Sequence, residues 1–94
     1  MTNEIVILGG ARTAIGTFGG ALAATPPTEL GRIVAAEAMQ RAGVAPDQIG
    51  HVVFGNVINT EPRDMYLSRV AAREAGVPDE VPAMNVNRLC GSGV

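Results

Sequence analysis

The chain of 94 residues contains no lysine and no tryptophan, and it holds one cysteine, one histidine, one tyrosine and two phenylalanines. Each scarcity excludes something. Without lysine there is no phosphate-binding Walker lysine and no amine for a Schiff base within these residues. One cysteine makes no internal disulfide, which fits a reducing cytoplasm. All 7 basic residues are arginine, against 9 acidic ones, for a net charge of -2. No basic stripe is present, so nucleic acid is not the expected partner. Met1-Thr2-Asn3-Glu4 lacks the basic start of a signal peptide, and the apolar run behind it is only a few residues long. No run is long enough to span a membrane, so the expectation is a cytoplasmic chain with no membrane partner and no bound metal.

What is present reads as alternating strands and helices. Glu4-Ile5-Val6-Ile7-Leu8 is aliphatic throughout and is expected to be a strand buried on both faces. Gly9 to Gly20 follows as a glycine-rich loop. No Gly-x-Gly-x-x-Gly can be laid over it and no helix signal follows directly, so a tight irregular connection is expected rather than a phosphate cradle. Thr25-Pro26-Pro27-Thr28-Glu29 is a helix start, with Thr25 as cap. Leu30, Ile33, Val34, Ala38 and Ala42 then recur on one face, and Gly43 is a stop. His51 to Ile58 is a second strand. His51 sits where that strand begins, the end away from the usual site of an open α/β sheet, and reads as a structural edge residue. Asp64 is placed to cap a second helix carrying Leu67, Val70, Ala71 and Ala75 on one face, ended by Gly76 and Pro78. Met65 and Tyr66 lie outside that stripe and are free to meet a partner surface.

Pro82-Ala83-Met84-Asn85-Val86 is the end of a third strand, and it leads to Asn87-Arg88-Leu89-Cys90-Gly91-Ser92-Gly93. A helix is expected to begin at Cys90. A cysteine at such a turn meets unpaired backbone N–H groups and the positive end of a helix dipole, and both favour the reactive thiolate. Gly91 and Gly93 leave room for a substrate near the sulfur. The alternative is a cysteine buried as a small hydrophobe. The order βαβαβ gives a parallel sheet of the α/β class. Two helices cannot cover three strands on both faces, so the expectation is a partial domain whose open face is covered by sequence after Val94 or by another chain.

Four motifs in order carry a family resemblance: Arg12-Thr13-Ala14-Ile15-Gly16-Thr17-Phe18-Gly19-Gly20, Glu29-Leu30-Gly31, Gly55-Asn56-Val57 and Asn87 to Gly93. Across residues 1–94 the chain resembles the N-terminal part of the thiolase N-terminal domain. Thr60 to Tyr66 is closer to the broad-specificity 3-ketothiolases than to the strict acetoacetyl enzymes. The resemblance implies that Cys90 is acylated during cleavage of a 3-ketoacyl-CoA, or the reverse condensation of acyl-CoA molecules. Coenzyme A is then a substrate, with no resident cofactor, and the metabolic setting is fatty-acid metabolism and β-oxidation. It implies a backbone N–H of Cys90 donating to the thioester oxyanion, and a homodimer or homotetramer with the Arg63–Tyr66 loop near the partner. The family's activating histidine and second cysteine have no match here, and His51 does not fit the histidine motif. The chain alone is therefore expected to be inactive. Two other readings stand beside this one: a ketoacyl synthase-type condensing enzyme, and a non-catalytic interaction module whose Cys90 is only packed.

Overall fold

The computed structural model describes residues 3–94, so the first two residues of the stretch read above for a leader lie outside it. Among the described residues two α-helices and a two-stranded parallel sheet make up the regular structure: α1 Pro27–Ala42, β1 Val52–Gly55, α2 Leu67–Glu74 and β2 Ala83–Val86. Short 3₁₀ turns occupy Pro46–Gln48 and Pro62–Tyr66. β1 and β2 pair in parallel, Val52 with Ala83 through Gly55 with Val86. Parallel neighbours need a crossover, and α2 supplies it.

α1 starts on proline. Pro26 is the capping residue in an extended conformation and Pro27 opens the first turn, where its missing N–H costs nothing. The amides of Glu29 and Leu30 both donate to the Pro26 carbonyl, so the expected Thr25 side-chain cap is not formed. At the other end Gly43 takes φ 68°, and its amide and that of Val44 close on Gln40 and Met39, the stop the sequence anticipated.

The packing face of α1 differs from the expected stripe. Thr28 and Gly31 are its buried residues, while Ile33 is 41% exposed. Size is the reason. A Cβ on Gly31 would stand 3.0 Å from the Ala71 methyl and 3.1 Å from the Phe54 ring, so only a bare backbone lets α1, α2 and β1 meet there. Further along, Met39 joins Ile49 and Val52 around Ala72, Val77 and Val81, the core of the molecule. Leu67 and Ala71 on α2 are buried as expected. Gly76, at φ 99°, follows the end of α2.

The strand expected at residues 4–8 is absent. Ile5 and Ile7 are 93% and 95% exposed and carry no regular structure. The residues have strand composition but no neighbour to bond with, and a strand exists only through its ladder. Val6 to Gly9 instead run beside Ala38 and Ala42 of α1. Among the described residues the sheet is therefore two-stranded, βαβ preceded by a helix. The loop from Gly9 onward is irregular, as read. Strand β1 is shorter than the 51–58 run because its ladder ends where β2 ends.

Asp64 does not cap α2. It is fully buried inside the 3₁₀ turn, and its Oδ2 accepts from the Thr60 amide and hydroxyl at 2.7 Å each and from the Glu61 amide at 3.2 Å. The α2 start is capped from a distance: Asn85 on β2 accepts from the Ser68 amide at 2.9 Å. Its Nδ2 donates to the Met65 carbonyl at 3.1 Å.

Two outcomes follow from this packing. Gly31→Val removes a helix-weakening glycine, a gain of less than about 1 kcal/mol, but overfills a contact where such crowding costs about 1–3 kcal/mol. The net is a loss, read as a lower denaturation midpoint in the complete polypeptide that carries this chain. The Thr60 hydroxyl and amide hold the Asp64 carboxyl below the usual carboxylate range. Its stabilising effect is therefore present above that range and is lost as pH falls through the depressed folded value. Acid titration of Asp64→Asn should show a flatter loss of stability below pH about 4 than the unaltered protein.

Candidate functional site

Side chains alternate across the sheet, so Phe54 and Asn85 face the helices while Gly55 and Val86 face the opposite side. Past Val86 the chain leaves the carboxyl end of β2 and folds back on that opposite side. It does so through successive tight turns. Gly91 bonds to Arg88 at 3.0 Å, Ser92 to Leu89 at 3.1 Å and Val94 to Gly91 at 3.1 Å, each amide reaching a carbonyl three residues back.

Cys90 lies in the middle of these turns, exposed and unbonded to any other sulfur. The residue before it is strained. Leu89 has φ 51°, the one positive value at a non-glycine position among the described residues, and a left-handed residue of this kind costs roughly 1–2 kcal/mol. Two side chains hold it there. The Asn87 side-chain oxygen accepts from the Leu89 amide at 3.0 Å. The Ser92 hydroxyl accepts from the Arg88 amide at 2.9 Å and donates to the Leu89 carbonyl at 2.7 Å. At about 0.5–1.5 kcal/mol net apiece, these three bonds suffice to offset the strain.

The helix expected to open at Cys90 is not formed in these residues. Cys90 to Val94 are too few to close more than one α-helical turn, and the Ser92 hydroxyl takes up local backbone groups. Within the described residues the sulfur stands on a side-chain-braced turn. Within the same residues Cys90 is exposed and not packed.

The turn is pinned to the sheet at Gly55. A Cβ there would stand 2.8 Å from the Ser92 carbonyl oxygen and 3.0 Å from the Ser92 Cβ. The adjacent Asn56 ties the neighbouring loop to the same end: its amide donates to the Val86 carbonyl at 3.0 Å and its side chain to the Asp64 carbonyl at 3.1 Å and to Asn59 at 2.7 Å. Met65 and Tyr66, on that loop, are both well exposed, as expected.

His51 is not brought to this end. It is exposed, immediately before β1, with a four-residue strand of about 13 Å between it and Gly55. It borders a shallow apolar cleft shared with Met39, Val52 and Val77, on the core side. No cluster of three metal-ligating side chains occurs among the described residues, and no helix is long and apolar enough to cross a membrane. Sequence reasoning named Cys90 and quoted Gly55, Asn56, Asn87 and Ser92 within its motifs, but gave them no supporting role. Gly55, Asn56 and Asn85 do leave a trace: a glycine and two amides close an otherwise apolar strand pair.

Residues 5–94 match the family model described as the thiolase N-terminal domain. Over all 94 residues the chain is 63% identical to beta-ketothiolase BktB of Cupriavidus necator, covering 24% of that protein. It is 43% identical over 93 residues to the cytosolic acetyl-CoA acetyltransferase of Mus musculus, covering 99% of this chain and 23% of that one. Human mitochondrial 3-ketoacyl-CoA thiolase, solved in complex with CoA, superposes with a TM-score of 0.89 at 36% identity, over 92% of this chain and 22% of the human one. The chain thus spans about a quarter of the length of these relatives. The family model, the sequence identities and the superposition agree, and the chain belongs to the thiolase family.

Proposed function

We propose that this chain carries the acyl-accepting nucleophile of an acyl-CoA C-acyltransferase, and that Cys90 is that nucleophile. One observation supports the reading most: an exposed thiol held by a braced, strained turn at the carboxyl end of a parallel sheet, in a chain of the thiolase family. The Cys90 thiolate attacks the C3 carbonyl of a 3-ketoacyl-CoA. The C2–C3 bond breaks, its electron pair is protonated at C2, and acetyl-CoA leaves. The acyl group remains as a thioester on the sulfur until a second coenzyme A thiol takes it and returns the thiolate. The reverse sequence condenses two acyl-CoA molecules.

Coenzyme A is a substrate in this scheme and no resident cofactor is needed. The scheme does need a base for the Cys90 thiol and an acid for the departing carbanion. His51 is at the wrong end of β1, and the resemblance to the family places both groups beyond Val94. Residues 1–94 are accordingly read as the N-terminal part of the family's N-terminal domain, inactive alone. A cytoplasmic homodimer or homotetramer completes the proposal, with the exposed Met65 and Tyr66 loop towards the partner and β-oxidation as the degradative setting.

Iodoacetamide labelling of the complete polypeptide tests the assignment. Cys90 should be modified rapidly at neutral pH, and an acyl-CoA should block the labelling by forming the thioester. Cys90→Ala should abolish acyl transfer, a loss of at least about 10⁴-fold, as expected when a nucleophile is removed. Slow labelling that acyl-CoA leaves unchanged would favour a non-catalytic module.

A further inference from the structure

Gly55 is an unexplained residue for a strand. Glycine weakens a strand, and where it persists it marks a bulge or a close approach by other backbone. Its φ is not positive, unlike those of Gly19, Gly43 and Gly76, so conformational freedom is not what position 55 requires. Nor is there a bulge: the ladder runs unbroken to the Gly55–Val86 pair, and the next amide, Asn56, still bonds to Val86. Space is what remains. A Cβ would meet the Ser92 carbonyl oxygen at 2.8 Å, the Ser92 Cβ at 3.0 Å and the Ser92 carbonyl carbon at 3.1 Å. Two of those three atoms are backbone, which no rotamer change can move aside.

We infer that Gly55 is a positioning residue for Cys90. It acts through Ser92, and this inference rests on the reading of Cys90 as the nucleophile. The path is short. Ser92 seats its backbone on the bare face of Gly55. Its hydroxyl then reaches Arg88 and Leu89, the two residues before the cysteine, at 2.9 and 2.7 Å. Leu89 is held at φ 51° by those bonds and by Asn87. A methyl group at position 55 must lift Ser92 by several tenths of an ångström. The hydroxyl then cannot satisfy both partners, Leu89 relaxes from its left-handed conformation, and the sulfur turns away from its present direction. The strand end of β1 thereby sets the aim of a side chain 35 positions further on in the sequence.

The test is Gly55→Ala in the complete polypeptide, beside Ser92→Ala, which removes the hydroxyl and leaves Gly55 in place. Circular dichroism gives the folded fraction, and every rate is expressed per folded molecule. Gly55→Ala should lower kcat for thiolysis of acetoacetyl-CoA by about tenfold to a hundredfold, the scale of a small misplacement of a reacting group, with KM within about twofold. The iodoacetamide rate at Cys90 should change in the same variant, and Ser92→Ala should move kcat in the same direction by a smaller factor. A folded Gly55→Ala with unaltered kcat and unaltered labelling overturns the inference. Should Gly55→Ala fail to fold, Ser92→Ala decides: unchanged kcat and labelling overturn the path through its hydroxyl. If the unaltered protein forms no acyl thioester, the functional reading fails instead, and the labelling rates of the two variants still decide whether Gly55 aims the thiol.

Discussion

The parallel ladder between β1 and β2 is four residues long, and its register fixes which groups meet beyond its carboxyl end. Pairing Gly55 with Val86 puts the Asn56 amide on the Val86 carbonyl and brings the turn after β2 back over the glycine. The same register sends Asn85 to the helix side, where it caps α2. A slip of one residue would exchange the two faces of a strand. Asn85 would then point away from α2, and a side chain larger than hydrogen would stand where Ser92 needs room. A short ladder has few bonds of its own with which to resist a slip, so the side chains that read the register are part of what maintains it.

Those readers are polar, Asp64 buried and Asn56 and Asn85 half-buried, which makes them costly unless satisfied. Asn85 uses both ends of its amide, accepting from Ser68 and donating to Met65. Asn56 donates to Asp64 and Asn59. Asp64 accepts three bonds on one oxygen, while its other oxygen is buried without a protein partner. Apolar residues could fill the same volume, but they would not distinguish one register from another. The surface ion pairs contribute less to this specificity. Arg41–Glu37 on α1 and Arg73–Asp79, between α2 and the turn after it, are exposed, where such pairs are worth about 0–1 kcal/mol.

Much of this was legible in the residues, and the failures have a common physical form. Gly43 and Gly76 were found because a left-handed stop is a local requirement that one residue type satisfies. Leu67, Ala71 and the Cys90 turn were found because periodicity and small-residue clusters are also local. The strand at residues 4–8 was misread because composition records an aptitude for pairing and not the presence of a partner. Thr25 and Asp64 were each given a cap that something else provides, Pro26 in one case and a strand residue from a distant part of the chain in the other. Gly31 was quoted in a motif, but its packing role went unread because its contribution is a missing side chain. Tertiary capping and close approach leave little trace in a window of a few residues.

The two bare positions, Gly31 and Gly55, are related by more than composition. Each admits a second element at a distance that a methyl group would forbid, and they work on opposite faces of β1: the Phe54 ring meets Gly31 on the helix side, while Gly55 receives Ser92 on the other. The strand is thus clamped between α1 and the Cys90 turn by contacts that tolerate no added volume. Contacts this close transmit displacement rather than absorb it. A change at the α1–α2 crossing should therefore be felt at the turn through the Phe54–Gly55 peptide. The direction of the thiol is then a property of the packed strand as a whole, and the turn that carries the sulfur completes an aim that β1 has already set.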